Sequence, residues 1–104
     1  MDNYVIRKAD ETDFERIFQI LRKSIEHSWS YDVFKEDFEN DNSLYFVLEI
    51  NDYVVGYAAF KNVMDESTLM SIAIDNEYRR NGFGENLLLY ALNYLKRPEY
   101  KKVF

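Results

Sequence analysis

A chain of 104 residues, 31% of them charged and 47% hydrophobic, is long enough to bury roughly two-thirds of its unfolded surface around one core, too short for a second, and so reads as a single domain over residues 1–104. The absence of cysteine excludes disulfides, cysteine-based metal sites and a thiol that could carry an acyl group, and the net charge of −6 argues against non-specific nucleic-acid binding. The longest apolar stretch, Leu87 to Leu92, is too short to cross a bilayer and Met1-Asp2-Asn3-Tyr4 lacks a signal peptide's basic start, so no membrane partner and a cytoplasmic location are expected.

Tyr4-Val5-Ile6-Arg7 is a short strand candidate ended by the polar run Lys8 to Asp13. A helix follows: Thr12-x-x-Glu15 fits a capping box, and Phe14, Ile17, Phe18, Leu21 and Ile25 keep helical spacing. The one histidine, His27, beside Ser28 and Trp29, reads as a loop residue and by itself builds no multi-histidine metal site, so no metal is expected. Ser30 is a plausible N-cap for a second short helix whose face carries Tyr31, Phe34 and Phe38. Leu44 to Ile50 and Tyr53 to Phe60 are β-rich runs joined by Asn51-Asp52, a pair that tolerates positive φ and suits a two-residue hairpin turn.

Residues Thr68 to Leu95 organise the rest. Leu69, Met70, Ile72, Ala73 and Ile74 form a β-prone run ended by Asp75-Asn76-Glu77. From Phe83 the apolar positions Phe83, Leu87, Leu88, Ala91, Leu92 and Leu95 trace one buried stripe of a helix. Between them lies Arg79-Arg80-Asn81-Gly82-Phe83-Gly84, so the glycines stand where a helix begins. The first turn of a helix offers unpartnered N–H groups and the positive end of the macrodipole, and glycine lets an anion approach the backbone closely. Two glycines there either shape a tight turn or cradle a phosphate, and Arg79 and Arg80 add positive charge. A P-loop would need Gly-Lys-Ser/Thr, and a dinucleotide fold would need a third glycine where Leu87 stands. After the helix Pro98 blocks continuation, and Tyr100 to Phe104 begins another strand.

The segment Arg79-Arg80-Asn81-Gly82-Phe83-Gly84 resembles the Arg/Gln-x-x-Gly-x-Gly/Ala signature of GNAT-family N-acetyltransferases, and the likeness extends from Val63 through Tyr94. There it looks most like the bacterial ribosomal-protein alanine N-acetyltransferases. The resemblance implies an α/β (α+β) fold, a mixed, mostly antiparallel sheet flanked by helices. It also implies a chain that stops after the start of the fifth strand, without the family's C-terminal third. It implies acetyl-CoA as cosubstrate, with Ile72, Ala73 and Ile74 along the pantetheine arm, where an irregular central strand offers backbone N–H groups. Arg79, Arg80, Asn81, Gly82, Phe83, Gly84 and Glu85 would surround the pyrophosphate.

Acetyl transfer to an amine also needs a base for the ammonium and an acid for the leaving thiolate. The resembling enzymes assign these to a glutamate on the fifth strand and a tyrosine on the next helix, which here would fall beyond Phe104. Glu66 is the candidate substitute base, because alternation places it on the face of Thr68, where some relatives carry a glutamate; otherwise it is a solvated strand-end residue. Trp29 and Tyr31, on the connection that walls the acceptor site in the family, are either substrate contacts or ordinary aromatics of the core.

Residues 1–52 hold 13 acids and 6 bases and residues 53–104 hold 6 acids and 7 bases, so the first half either faces a cationic acceptor or is a solvated acidic surface. The function implied is transfer of acetyl from acetyl-CoA to a primary amine, a protein N-terminal α-amino group in particular. The alternative is a non-catalytic acyl-CoA-binding or interaction module completed by another chain. A strand cut at Phe104 and an open edge beside Leu69 to Ile74 predict a homodimer.

Overall fold

The computed structural model describes residues 3–24, 30–64, 66–96 and 102–103. Five strands form one sheet in the order β1 (Tyr4–Lys8), β2 (Ser43–Ile50), β3 (Tyr53–Val63), β4 (Glu66–Ile74) and β5 (Lys102–Val103). The first four run antiparallel, and β5 lies parallel to β4, in register at Glu66 and Ser67. Helices α1 (Phe14–Ser24) and α2 (Tyr31–Glu39) precede β2, and α3 (Phe83–Tyr94) follows β4. The fold class is the mixed, mostly antiparallel α/β arrangement that the sequence implied.

Helices cover both faces of the sheet, which explains why β2 and β3 read as continuous apolar runs instead of alternating ones. Leu44, Phe46 and Leu48 of β2 pack with Ala58 and Phe60 of β3 against Phe83, Leu87 and Ala91 of α3 and Leu95 at its C-terminal cap. The intervening Tyr45, Val47, Tyr57 and Ala59 pack on the other face against Phe14, Ile17, Ile20 and Leu21 of α1 and Phe34 of α2. The stripe expected on α3 is therefore the buried one. The aromatic content concentrates between α1, α2 and β2, where Phe14, Phe18, Phe34, Phe38 and Tyr45 form stacked and edge-on ring pairs.

Local signals set the element ends. Asn51 and Asp52 have φ of 51° and 66°, so both turn residues of the β2–β3 hairpin occupy the left-handed region. Ser30 caps α2 by accepting a hydrogen bond from the Val33 amide. At the first helix the capping box falls two residues earlier than the Thr12–Glu15 reading: Asp10 caps a 3₁₀ turn over Glu11–Asp13, and the Asp13 carboxylate accepts from the Asp10 amide. Arg7 grips that carboxylate with two hydrogen bonds of 2.8 and 2.9 Å, an interaction that sequence periodicity does not register and that fixes the extra turn.

Strand β4 is irregular. Phe60 pairs with Leu69 and Ala59 with Ser71, which leaves Met70 as an extra residue. The bulge shifts the alternation, so that Glu66 and Thr68 share a face with Ser71 and Ala73 and not with Ile72 and Ile74. Of the strand expected over Tyr100 to Phe104, Lys102–Val103 is described; the remainder lies outside the described residues.

Candidate functional site

The geometry of interest begins where β4 ends. Asp75 leaves the ladder with its amide donating to the Val55 carbonyl at 2.7 Å, and its side chain accepts from the Glu77 amide to cap a 3₁₀ turn over Asn76–Tyr78. Arg79 closes that turn and folds back, its Nε donating to the Ile74 carbonyl at 3.0 Å. Arg80 takes φ 68°, a conformation uncommon for a residue with a Cβ and one that marks loops held in shape by their surroundings. Asn81 supports it by donating to the Tyr78 and Arg79 carbonyls.

Gly82 then takes φ 74°, and beyond its chain neighbours no heavy atom of the described residues lies within 4 Å of the Cβ that another residue would add. Backbone conformation, not space, requires glycine there. The Asn86 amide makes the first helical bond to the Gly82 carbonyl, and no side chain among the described residues caps the start of α3. The amides of the first turn thus lack a side-chain partner among the described residues and follow the two arginines closely in sequence, an arrangement suited to an anion.

Between this turn and the edge of β4 lies a cleft of about 590 Å³ lined by Ile72, Ala73, Ile74, Arg79, Gly84, Glu85 and Leu88. Six of the ten expected cofactor residues meet there, brought together by the return of α3 alongside β4. Because β5 pairs with β4 at Glu66 and Ser67, the edge from Thr68 to Ile74 has no neighbouring strand among the described residues. Alternate N–H and C=O groups along the cleft therefore point away from β3. Arg80, Asn81 and Gly82 form the loop between Arg79 and α3 and are not among the lining residues, and the ring of Phe83 is buried against Tyr4, so Phe83 can offer a ligand only its backbone.

Other candidates lie elsewhere. Glu66 sits at the far end of β4, about 20 Å from Ile72 at the usual rise per residue. Tyr31 packs edge-on against Phe14 and Phe18 and donates its hydroxyl to Glu15 at 2.6 Å, joining α1 to α2 away from the cleft lining. Trp29 lies outside the described residues. A second cleft of similar volume, about 580 Å³, opens between β1, α1 and α2 around Lys8, Phe14 and Phe38, and among the described residues its lining contains none of the candidates.

Two features at the site escaped the sequence reading. Leu88, read as core, lines the cleft. Arg16 reaches from α1 to Asp75, Nη2 to Oδ2 at 2.5 Å, in a pair whose side chains are 13% and 8% exposed. Burial alone would raise the Asp75 carboxyl, but the Arg16 hydrogen bond, the Glu77 amide and the Arg16 charge outweigh it and hold the group below the usual range. With the partners 59 positions apart in the sequence, no local signal could have joined them.

The sequence model of the acetyltransferase (GNAT) family matches residues 9–104. A ribosomal protein bS18-alanine N-acetyltransferase of Haemophilus influenzae is 33% identical over 84 residues, covering 81% of this chain and 57% of the relative. An N-alpha-acetyltransferase of Sulfurisphaera tokodaii is 32% identical, covering 89% of this chain and 63% of the relative. The crystal structure of the ribosomal-protein-S18-alanine N-acetyltransferase from Escherichia coli superposes with a TM-score of 0.84 at 29% identity, covering 91% of this chain and 61% of that one. The chain thus spans about three-fifths of the length of the relatives that it matches. An irregular β4, an uncapped helix start behind a left-handed glycine and a family match running from residue 9 to residue 104 agree: this chain belongs to the GNAT acetyltransferase family.

Proposed function

We propose that the chain binds acetyl-CoA in the cleft between β4 and the start of α3 and serves in acetyl transfer to a primary amine, the α-amino group of a protein N-terminus. The observation that carries the reading is the meeting, in one cleft, of an open strand edge, apolar walls and an uncapped helix N-terminus behind Gly82. The parts suit a long ligand that is anionic at one end. The first-turn amides and Arg79 and Arg80 take the pyrophosphate, while Ile72, Ala73, Ile74 and Leu88 flank the pantetheine arm, to which the edge of β4 offers backbone hydrogen bonds. Phe83 and Glu85 complete the first turn, and Asn81 holds the loop in shape.

The bound cosubstrate supplies the activated acetyl thioester. The amine approaches from the face of β4 that carries Glu66, Thr68, Ser71 and Ala73. A protein N-terminus suits a site with little basic help, since its pKa of about 8 lies well below the lysine value of about 10.4. Glu66 is the carboxylate on that face of β4; at about 20 Å from Ile72 it lies beyond direct hydrogen-bond reach of an amine at the cleft, so a role as base would require a chain of waters between them. The names of the relatives support an N-terminal acceptor.

A second reading, an acyl-CoA-binding module without turnover, is favoured by the cleft lining, which among the described residues holds Glu85 as its one carboxylate and no tyrosine or histidine. Titration calorimetry with CoA tests the binding that both readings share: wild type should release heat at millimolar ligand or below, and Gly82→Asp should not. A thiol-release assay with an alanine-initiated peptide separates them. Turnover that falls in Glu66→Gln supports transfer with Glu66 as base, and binding without turnover supports the module.

A further inference from the structure

We infer that Arg16 of α1 is a positioning residue for the anion-binding loop, holding Asp75 in place and cancelling its charge where phosphates are to bind. The inference rests on the acetyl-CoA reading and adds a residue from a different part of the chain. Arg16 is committed on every side. Its Nη2 pairs with Asp75, its Nε donates to the Val54 carbonyl at 2.7 Å, its Nη1 lies 3.3 Å from Gln19 Oε1, and its guanidinium lies 4.2 Å above the Tyr53 ring. One side chain thus ties α1 to the start of β3 and to the end of β4. Arginine suits the task because its planar fork serves several acceptors while its face stacks on a ring.

The tie extends to the ligand loop in short steps. Asp75 caps the 3₁₀ turn through the Glu77 amide, and its carbonyl accepts from the Tyr78 amide at 2.9 Å. The same turn ends at Arg79, whose guanidinium returns to the Ile74 carbonyl and lines the cleft. Asp75 also stands in the sequence just ahead of the loop that must accept negative charge. Unpaired, its buried carboxylate would repel a phosphate; paired, it is neutralised and serves only as a cap. Arg16 therefore acts on geometry and on field together, without touching the ligand.

The test compares two ligands, CoA, which carries phosphates, and S-acetylpantetheine, which carries none. Wild type, Arg16→Met, Arg16→Lys and Arg16→Met/Asp75→Asn are each titrated with both, by calorimetry for CoA and by NMR shifts for the weaker ligand. Arg16→Met should weaken CoA by about tenfold or more, the scale of one charge-assisted contact, and leave S-acetylpantetheine within about twofold. The double variant should regain part of the CoA affinity because the stranded charge is gone. Arg16→Lys, which keeps the charge and loses the fork, should fall between and covers the case in which Arg16→Met does not fold. A wild type that binds no CoA overturns the acetyl-CoA reading. A wild type that binds CoA, with variants that match it or that lose both ligands equally, overturns the role of Arg16.

Discussion

Gly56 faces Ile74 across the β3–β4 ladder with no room for a side chain: a Cβ there would overlap Ile74 Cδ1 and stand 3.2 Å from the Ala73 carbonyl oxygen. The isoleucine methyl can turn aside, but the backbone oxygen cannot. Gly56→Ala should therefore cost about 1–3 kcal/mol, the usual range for overpacking. Because Ile74 and Ala73 line the cleft, CoA should bind more weakly as well. Urea melts and calorimetry on the same preparation check both effects.

The phenol of Tyr57 is buried, and its oxygen lies 2.6 Å from Ser71 Oγ on the half-exposed edge strand. The two ends of that hydrogen bond are not equivalent. Tyr57→Phe leaves a serine that water can reach and should cost about 0.5–1.5 kcal/mol, whereas Ser71→Ala strands a buried phenol and should cost about 1–3 kcal/mol. The double variant should resemble Tyr57→Phe alone. A chemical-denaturation cycle measures all three, and equal costs for the two single variants would remove the asymmetry.

The glycines of the loop should separate by sign. Gly82 holds φ 74° in open space, so Gly82→Ala should lose about 1–2 kcal/mol through backbone strain, and Gly82→Asn less. At Gly84 a Cβ would stand 3.7 Å from Ile74 Cγ1, an ordinary contact. Gly84→Ala in the first turn of α3 should gain up to about 1 kcal/mol from reduced backbone entropy while narrowing the cleft. A raised melting temperature with weakened CoA binding is the expected pair of results.

The pH dependence of stability should have two limbs. Burial pulls the Asp75 carboxyl up, but Arg16 and the Glu77 amide leave it net depressed, so the stability it contributes is present above the ordinary aspartate value of about 3.9 and lost as pH falls through its lower folded value. Tyr45 and Tyr57 are raised chiefly by burial, Tyr45 further by its hydrogen bond to Asp37. Their contribution is present below about pH 10 and lost as pH rises above it, because the unfolded chain ionises first. Urea midpoints measured from pH 2 to 11 should fall at both ends. Asp75→Asn should flatten the acid limb at a cost of about 3–5 kcal/mol at neutral pH, since Arg16 then lacks its counter-charge.

The sequence by itself determined the features whose causes lie within one or two turns of chain. The stripe from Phe83 to Leu95 marked α3, the Asn51-Asp52 pair set a hairpin that needs positive φ at both positions, Ser30 capped α2, and the glycine pair stood at a helix start. Each depends on side-chain spacing or on backbone tolerance, which a residue carries wherever it is placed. The α1 cap was legible only approximately, because Asp10 and Thr12 both can cap and the choice was made by Arg7 gripping Asp13 from β1. The tertiary structure alone decided the bulge at Met70, the pairing of Arg16 with Asp75 and that of Tyr57 with Ser71. Sheet register and helix docking bring such partners together across the fold, and the free energy of their contact does not exist until the layers close, so no local pattern records it.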